Sequence, residues 1–360
     1  MPKVSVIIPV YNVEPYLRRS MDSVINQTLD DIEIICINDA STDNSLDILR
    51  EYEQKDSRVK IINLEQNSGV SAARNKGLDA AVGEYLGFID PDDEIDLNFH
   101  EELYKKAKED DADIVKCSRT TIEKDGTLKK ECLNDKIRKN GKYSFTHDWQ
   151  TAIYRHSLIK ENNICFNEDL INGEDSVFLF SLIFKTDKIS LIDNVEYRYF
   201  RRNGSLNAKI LPLASIESAN KSLSIRMDMI NESDLFEKDK NLYISLFNGR
   251  IYAMFGNTLF QNDSPEAKKM CAKWLIDTYN KCKDKELLDS VFKYKYFLYF
   301  IKKQKVNTLA KIFKRFSTKD ELKSCCQKPL TKRQRKFSIT KQGRYKVITL
   351  FDNQIAIKIK

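Results

Sequence analysis

Several residue types and patterns are scarce or missing in this 360-residue chain, and each shortage closes off a class of function. Histidine occurs three times, and the eight cysteines form no C-x-x-C pair. The ligand spacing of a zinc site is therefore missing, and a disulfide framework is not indicated. Cysteine usage of this kind fits a reducing, cytoplasmic compartment. No G-x-G-x-x-G run follows the first apolar segment, which argues against a nicotinamide- or flavin-binding Rossmann protein. The strictly apolar runs are far too short to span a bilayer. Met1-Pro2-Lys3 leads directly into a strand pattern, so no secretory leader is expected.

What is present is the composition of a globular protein, with 41% hydrophobic and 31% charged residues. The length favours two domains, or one domain with a large extension. A net charge of +7 conceals a division. Residues 301–360 hold 18 Lys/Arg against 3 Asp/Glu, a balance of +15, whereas residues 1–300 are net −8. A basic end on an acidic body implies either a solvated tail or an anionic partner, phospholipid headgroups in preference to nucleic acid.

Hydrophobic periodicity alternates between strand and helix from the start. Strands are expected at Val4–Ile8, Ile32–Ile37, Val59–Ile62, Tyr85–Ile89 and Asp113–Cys117. Helices are expected at Glu14–Gln27, Ser45–Gln54, Ser71–Ala81 (with Gly83 as its C-cap) and Asn98–Glu109. This order predicts an α/β fold with a mostly parallel sheet flanked by helices on both faces. Residues 118–165 read as a hairpin and loops, followed by a helix at Val177–Phe184 and strands at Ile189–Ile192 and Glu196–Phe200. Beyond Leu206 the pattern is helical. Tyr243, Phe247, Ile251, Met254, Phe255 and Leu259 make one apolar helix face. The aromatic stripe Val291–Ile301 is either core or a membrane-interface segment. Three regions follow: 1–205, 206–300 and a basic 301–360.

Polar clusters stand where the early strands end. Pro9-Val10-Tyr11-Asn12 follows the first strand, Asn38-Asp39-Ala40-Ser41-Thr42-Asp43 the second, and Asp90-Pro91-Asp92-Asp93 the fourth. In an open parallel sheet, ligands bind at those carboxyl ends. Carboxylates gathered there need a counter-charge, and a divalent cation carrying a diphosphate supplies one. Each cluster also has a plain reading. Pro9 and Asn12 suit an ordinary turn, Asp43 and Glu174 suit helix caps, Arg74 a solvated charge, and the three aspartates an acidic loop tip.

Taken in order, these motifs resemble glycosyltransferase family 2, inverting enzymes with the GT-A fold, over about residues 3–205. The resemblance implies that Pro9 and Tyr11 lie against a uracil base and that Asp39 accepts a hydrogen bond from its imide N–H. Arg74 would sit near the base and its neighbouring carboxylate. Asp90-Pro91-Asp92-Asp93 matches the family's D-x-D, with Asp92 on Mn²⁺ or Mg²⁺ and Asp90 on ribose or a metal-bound water; Asp93 is the third acid. Glu174-Asp175 matches a Glu-Asp pair in which Asp175 is the general base. The segment Tyr197–Ser205, with Arg201 and Arg202, resembles a loop that closes over the diphosphate. One departure stands out. The family's Asp-Asp-Gly-Ser is Asn38-Asp39-Ala40-Ser41 here, so the tight turn that glycine allows should be lost.

The implied activity is transfer of a hexose or N-acetylhexosamine from a UDP-sugar to a hydroxyl of a glycan or lipid-linked oligosaccharide, as in surface polysaccharide synthesis. The enzyme would work in the cytoplasm, with the basic end against an anionic inner-membrane face. The helical region is left to acceptor binding, homodimer formation or neither. Two rivals are a nucleotidyltransferase, which opens with a Gly-rich basic phosphate loop that Pro9–Asn12 does not provide, and a non-catalytic glycan-binding protein.

Overall fold

The computed structural model describes residues 1–131, 148–202, 212–247, 249, 264–291, 301–313, 338–342, 345–350 and 353–358. Strands β1 (Val4–Val10) and β2 (Ile32–Asn38) are buried along their whole length, as expected of central parallel strands covered on both faces. Alternate side chains feed two cores. Val4, Val6 and Ile8 join Ile34 and Cys36 on one face, and Ile7 joins Ile35 and Ile37 on the other. Helices α1 (Glu14–Ile25), α2 (Ser45–Lys55) and α4 (Phe99–Glu109) cover the first face. Helix α3 (Val70–Ala80) lies on the second.

Beside these strands run β3 (Val59–Asn63) and β4 (Tyr85–Phe88), then β5 (Glu94–Ile95), β6 (Ile114–Ile122), β7 (Leu128–Glu131), β8 (Ala152–Arg155) and β9 (Ile189–Phe200). The sheet order is β3-β2-β1-β4-β8-β6-β9-β5, with β7 paired to β6. The β3-β2-β1-β4 pairs and β6-β9 are parallel. By contrast, β8, β5 and β7 run antiparallel to their neighbours. The sheet is thus mixed, with four parallel and four antiparallel pairings among the described residues.

Three local expectations need correcting. The hairpin-and-loop reading of 118–165 missed β8, a four-residue strand wedged between β4 and β6, and helix α5 (His156–Glu161). So short a strand carries no readable period. The two expected strands 189–192 and 196–200 are one strand, β9, which absorbs a register shift opposite Lys116/Ser118. Gly83 is no C-cap, since α3 ends at Ala80. Instead, a Cβ on Gly83 would stand 2.6 Å from the backbone nitrogen of Ser5, so that close approach requires glycine.

Helices α6 (Glu174–Ile183), α7 (Leu213–Glu232), α8 (Leu235–Lys238), α9 (Pro265–Lys281), α10 (Lys285–Val291) and α11 (Val306–Phe313) follow. Their apolar faces (Phe178, Met227, Leu275, Phe313) join the core cluster that contains Ile7 and Phe88. The helical region is therefore fused to the sheet, and the basic segment begins as core, with Leu309 and Phe313 fully buried. The helix expected over Tyr243–Leu259 is seen over 240–247; Ile251, Met254, Phe255 and Leu259 lie outside the described residues, as do 292–300 of the aromatic stripe. Strands β10 (Ser338–Gln342), β11 (Tyr345–Leu350) and β12 (Asn353–Lys358) form a separate antiparallel sheet. Among the described residues, no helix is long and apolar enough to cross a membrane.

Candidate active site

The loops leaving β1 and β2 are locked together. Asn12, in left-handed conformation at φ 51°, accepts from the Thr42 amide at 2.8 Å, and its own amide donates to Ser41 Oγ at 3.1 Å. Asp43 accepts from the amides of both Glu14 and Ser45 at 3.0 Å, so one carboxylate serves the starts of α1 and α2. Partial burial pushes its pKa up, but hydrogen bonds from Ser45 and the Glu14 amide outweigh this and hold it below the usual range. The turn after Asp39 survives without glycine. Ala40 adopts φ 55°, a conformation that costs a Cβ-bearing residue about 1–2 kcal/mol. The expected loss of the turn is thus a strained alanine within it.

Pro9 is buried at the end of β1, and Tyr11 stands at the surface, 47% exposed. Next to them the Asp39 amide donates to the Val10 carbonyl at 2.9 Å. The Asp39 side chain is buried and accepts from the amides of Ser68 (2.7 Å) and Gly69 (2.9 Å), just before α3. Each carboxylate oxygen retains a lone pair for a further donor.

Arg74 joins the two sides of the cleft. It is 5% exposed, donates to Glu174 Oε1 at 2.9 Å and to Asp90 Oδ1 at 3.3 Å, and lies 4.5 Å from the Trp149 ring centroid. Its Nε has no hydrogen-bond partner among the described residues. Burial raises the Glu174 pKa against the pull of Arg74, with Asp175 adding to the rise.

The three acids after β4 point apart. Asp90 faces Arg74, and Asp92 is paired with Arg202 Nε at 2.7 Å. Asp93 is fully buried, accepting from Tyr197 Oη and the Phe200 amide, both at 2.9 Å. Burial, then the charge of Asp90, pushes Asp92 upward. The same two causes, with Asp92 added, push Asp93 well above the ordinary carboxylate range. The acids outnumber their cations, and no trio of His, Cys, Asp or Glu side chains among the described residues converges on a metal position.

The segment read as a closing loop begins as strand. Tyr197 is fully buried in β9, where its hydroxyl also accepts from the Asp90 amide at 3.1 Å. The two arginines that follow separate cleanly: Arg202 meets Asp92, while Arg201 turns to Glu123 at 3.4 Å on the far hairpin. Residues 203–205 lie outside the described set.

Asp175 opens α6 behind Gly173, which has φ 83°. Its Oδ1 accepts from the Ser176 amide at 2.5 Å. Sequence reading missed several side chains that shape this centre. Arg19 donates to the Asp92 carbonyl at 2.6 Å and lies 3.5 Å from the Phe200 ring centroid. Trp149 floors Arg74, and Arg226 of α7 is buried, which pushes its pKa down to about 10 against the charge of Asp175. An isolated arginine in a helix carries no sequence signal; Trp149, one of two tryptophans, carried the only compositional hint.

The model for Glycosyl transferase family 2 matches residues 5–164. The chain is 32% identical over 259 residues to the uncharacterized glycosyltransferase EpsJ of Bacillus subtilis, covering 68% of this chain and 75% of that one. It is 35% identical to the poly(ribitol-phosphate) beta-glucosyltransferase of Bacillus spizizenii, covering 69% of this chain but 40% of that larger protein. Among solved structures, S. aureus TarS 1–349 in complex with UDP-GlcNAc superposes with a TM-score of 0.74 at 22% identity, over 99% of this chain and 100% of that one. The last likeness speaks for the GT-A-type fold. The chain belongs to glycosyltransferase family 2 and is a glycosyltransferase.

Proposed function

We propose that the chain is an inverting, metal-dependent transferase that moves a hexose or N-acetylhexosamine from a UDP-sugar to a hydroxyl of a surface-glycan acceptor. The observation that carries this is the pairing across one cleft of an acidic donor side with a second carboxylate pair, bridged by Arg74. The UDP-GlcNAc held by TarS supports a UDP-sugar donor. The poly(ribitol-phosphate) beta-glucosyltransferase and the minor teichoic acid biosynthesis protein GgaB of Bacillus subtilis support a cell-surface polymer as acceptor.

In this reading Pro9, Tyr11 and Asp39 receive the uracil, and Asp90 the ribose. Asp175 takes the proton from the acceptor hydroxyl, whose oxygen attacks the anomeric carbon opposite the departing UDP. The C–O bond to UDP breaks with its electron pair leaving on the diphosphate, giving a β-linkage from an α-linked donor. An oxygen-rich, cation-poor set of acids fits Mn²⁺ or Mg²⁺. Asp92 would hold the metal, which once bound would offset negative charge on the leaving group. Arg202, now on Asp92, would be freed to face the diphosphate.

The test is UDP release from a panel of UDP-sugars with Mn²⁺. One donor should be hydrolysed slowly, and Asp92→Asn or EDTA should reduce that rate by at least about 10²-fold. An Asp92→Asn rate equal to wild type would overturn the metal reading.

The basic end is assigned to an anionic membrane face on the cytoplasmic side. Residues 314–360 carry 14 Lys/Arg against 3 Asp/Glu. Deletion should begin there, because 301–313 contributes core residues. Liposome binding by the truncated chain equal to that of the full chain would refute this placement.

A further inference from the structure

A serine in the middle of a helix usually faces water or bonds back to a carbonyl one turn earlier. Ser218 and Ser222 of α7 do neither. They stand one turn apart on the same face, both buried, and their hydroxyls leave the helix for the loop that precedes α6. Ser218 Oγ accepts from the amides of Ile171 (2.8 Å) and Asn172 (3.0 Å) and donates to the Asn172 carbonyl (3.2 Å), so its proton and both lone pairs are used. Ser222 Oγ donates to the Gly173 carbonyl at 2.7 Å. That carbonyl also accepts from the Val177 amide at 3.2 Å, in the first turn of α6. A Cβ on Gly173 would stand 2.6 Å from Ser222 Oγ and 2.9 Å from Ser222 Cβ. Helix and loop therefore touch without space for a side chain, immediately before Glu174 and Asp175.

The other end of this loop is held by α3. Asn75 Nδ2 donates to the Phe166 carbonyl (2.9 Å) and to Glu168 Oε1 (2.8 Å), and its Oδ1 accepts from the Phe166 amide at 2.8 Å. Next to Asn75, Arg74 holds the Glu174 side chain. Asp175 is held differently. Its carboxylate bonds the Ser176 amide within its own turn, so its place follows from where the backbone of α6 begins. That start is Gly173, and the hydroxyls that fix Gly173 and the two residues before it belong to α7.

We propose that Ser218 and Ser222 are positioning residues for the transfer reaction. By fixing the 171–173 backbone they set the start of α6, and with it the point at which Asp175 meets the acceptor hydroxyl. This rests on the reading of Asp175 as the general base. A base displaced by about 1 Å loses much of its effect on the rate, while the donor side, built on the β1–β2 loops, keeps its shape. The helical region is in this way part of the reaction centre, acting through the loop rather than on the substrate.

The test uses the full chain with Ser218→Ala, Ser222→Ala, the double alanine variant, Asp175→Asn and the triple combination. Lys281→Met is the control for the stability of α7, since it removes the bonds from α9 to Ser224 and Asp228, both at 2.7 Å. With an active donor, the double alanine variant should lower transfer kcat by about 10–10²-fold, with the UDP dissociation constant within about threefold of wild type. Each single alanine should give part of that loss, which decides the matter if the double variant does not fold. Lys281→Met should keep the wild-type kcat. In the Asp175→Asn background the two alanines should cost less than about threefold more, because a base already removed cannot be misplaced. An unchanged kcat in the alanine variants, an equal loss in Lys281→Met, or full multiplication of the losses with Asp175→Asn would overturn the proposal. Transfer by Asp175→Asn at the wild-type rate would remove the base reading, and the proposal with it. Amide hydrogen exchange needs no substrate. Residues 171–176 should exchange at least about tenfold faster in the alanine variants but not in Lys281→Met. Unchanged exchange there would overturn the proposal even if the wild type turned over no UDP-sugar, a result that by itself counts against the donor reading alone.

Discussion

On the β1–β2 side of the cleft, the fixing contacts are local: Asn12 to Thr42 spans 30 residues, and Asp43 to Glu14 and Asp39 to Ser68 each span 29. Around Asp175 they are distant: Ser222 reaches Gly173 across 49 residues and Arg74 reaches Glu174 across 100. The first side is thus a set of neighbouring turns and caps, and the second is assembled only when the whole chain has packed. The first should tolerate loss of single polar groups, whereas the second should fail when one charge is removed.

The largest stability effect that tests this contrast is at Arg74. Arg74→Met leaves Asp90 and the buried Glu174 without their cation and should cost about 3–5 kcal/mol in denaturant unfolding. A loss below about 1 kcal/mol would mean that the apolar core alone joins the two sides. Next comes acid sensitivity on the strand side. His100 is fully buried and held neutral, its pKa pushed down to about 3 by burial. The unfolded chain binds a proton below about pH 6.5 that the folded chain refuses, so stability falls as pH drops. At pH 5 this group should account for about 2 kcal/mol. His100→Asn, which cannot titrate, should flatten that slope between pH 6.5 and 5 in urea melts.

Smaller effects belong to the loops. Asp43→Ala removes the acceptor at two helix starts and should cost about 1–2 kcal/mol at neutral pH. Because the folded pKa of Asp43 is depressed, that difference should persist above the unfolded value near 3.8 and vanish as pH falls through the folded one. Ala40→Gly relieves the strain at φ 55° and should be neutral to stabilising by about 1 kcal/mol. A clear destabilisation there would show that the alanine methyl packs usefully.

The same contrast explains what could be read beforehand. The strands β1, β2 and β4 and the acids at their ends were legible because period, turn residues and chemistry coincide within short stretches. Strand β8 was not, since Ala152–Arg155 is defined by its neighbours in the sheet and too short to show a period. Tyr197 was read both in a strand over Glu196–Phe200 and at the start of a closing loop; its contacts with Asp90 and Asp93 were not legible, because those partners are more than 100 residues away. Arg202 could be told from Arg201 only once the hairpin bearing Glu123 was placed. Ser222 shows the limit most plainly, as its contact with Gly173 depends on how closely α7 packs there.

The most direct test of the account is to compare UDP-sugar binding and transfer in Asp175→Asn with the wild type. If Asp175 is the base on a cleft whose donor side is built separately, the variant should bind the donor within about threefold of wild type while transfer falls by about 10²–10⁴-fold. Transfer at the wild-type rate, or loss of donor binding along with it, would contradict the division of labour across the cleft.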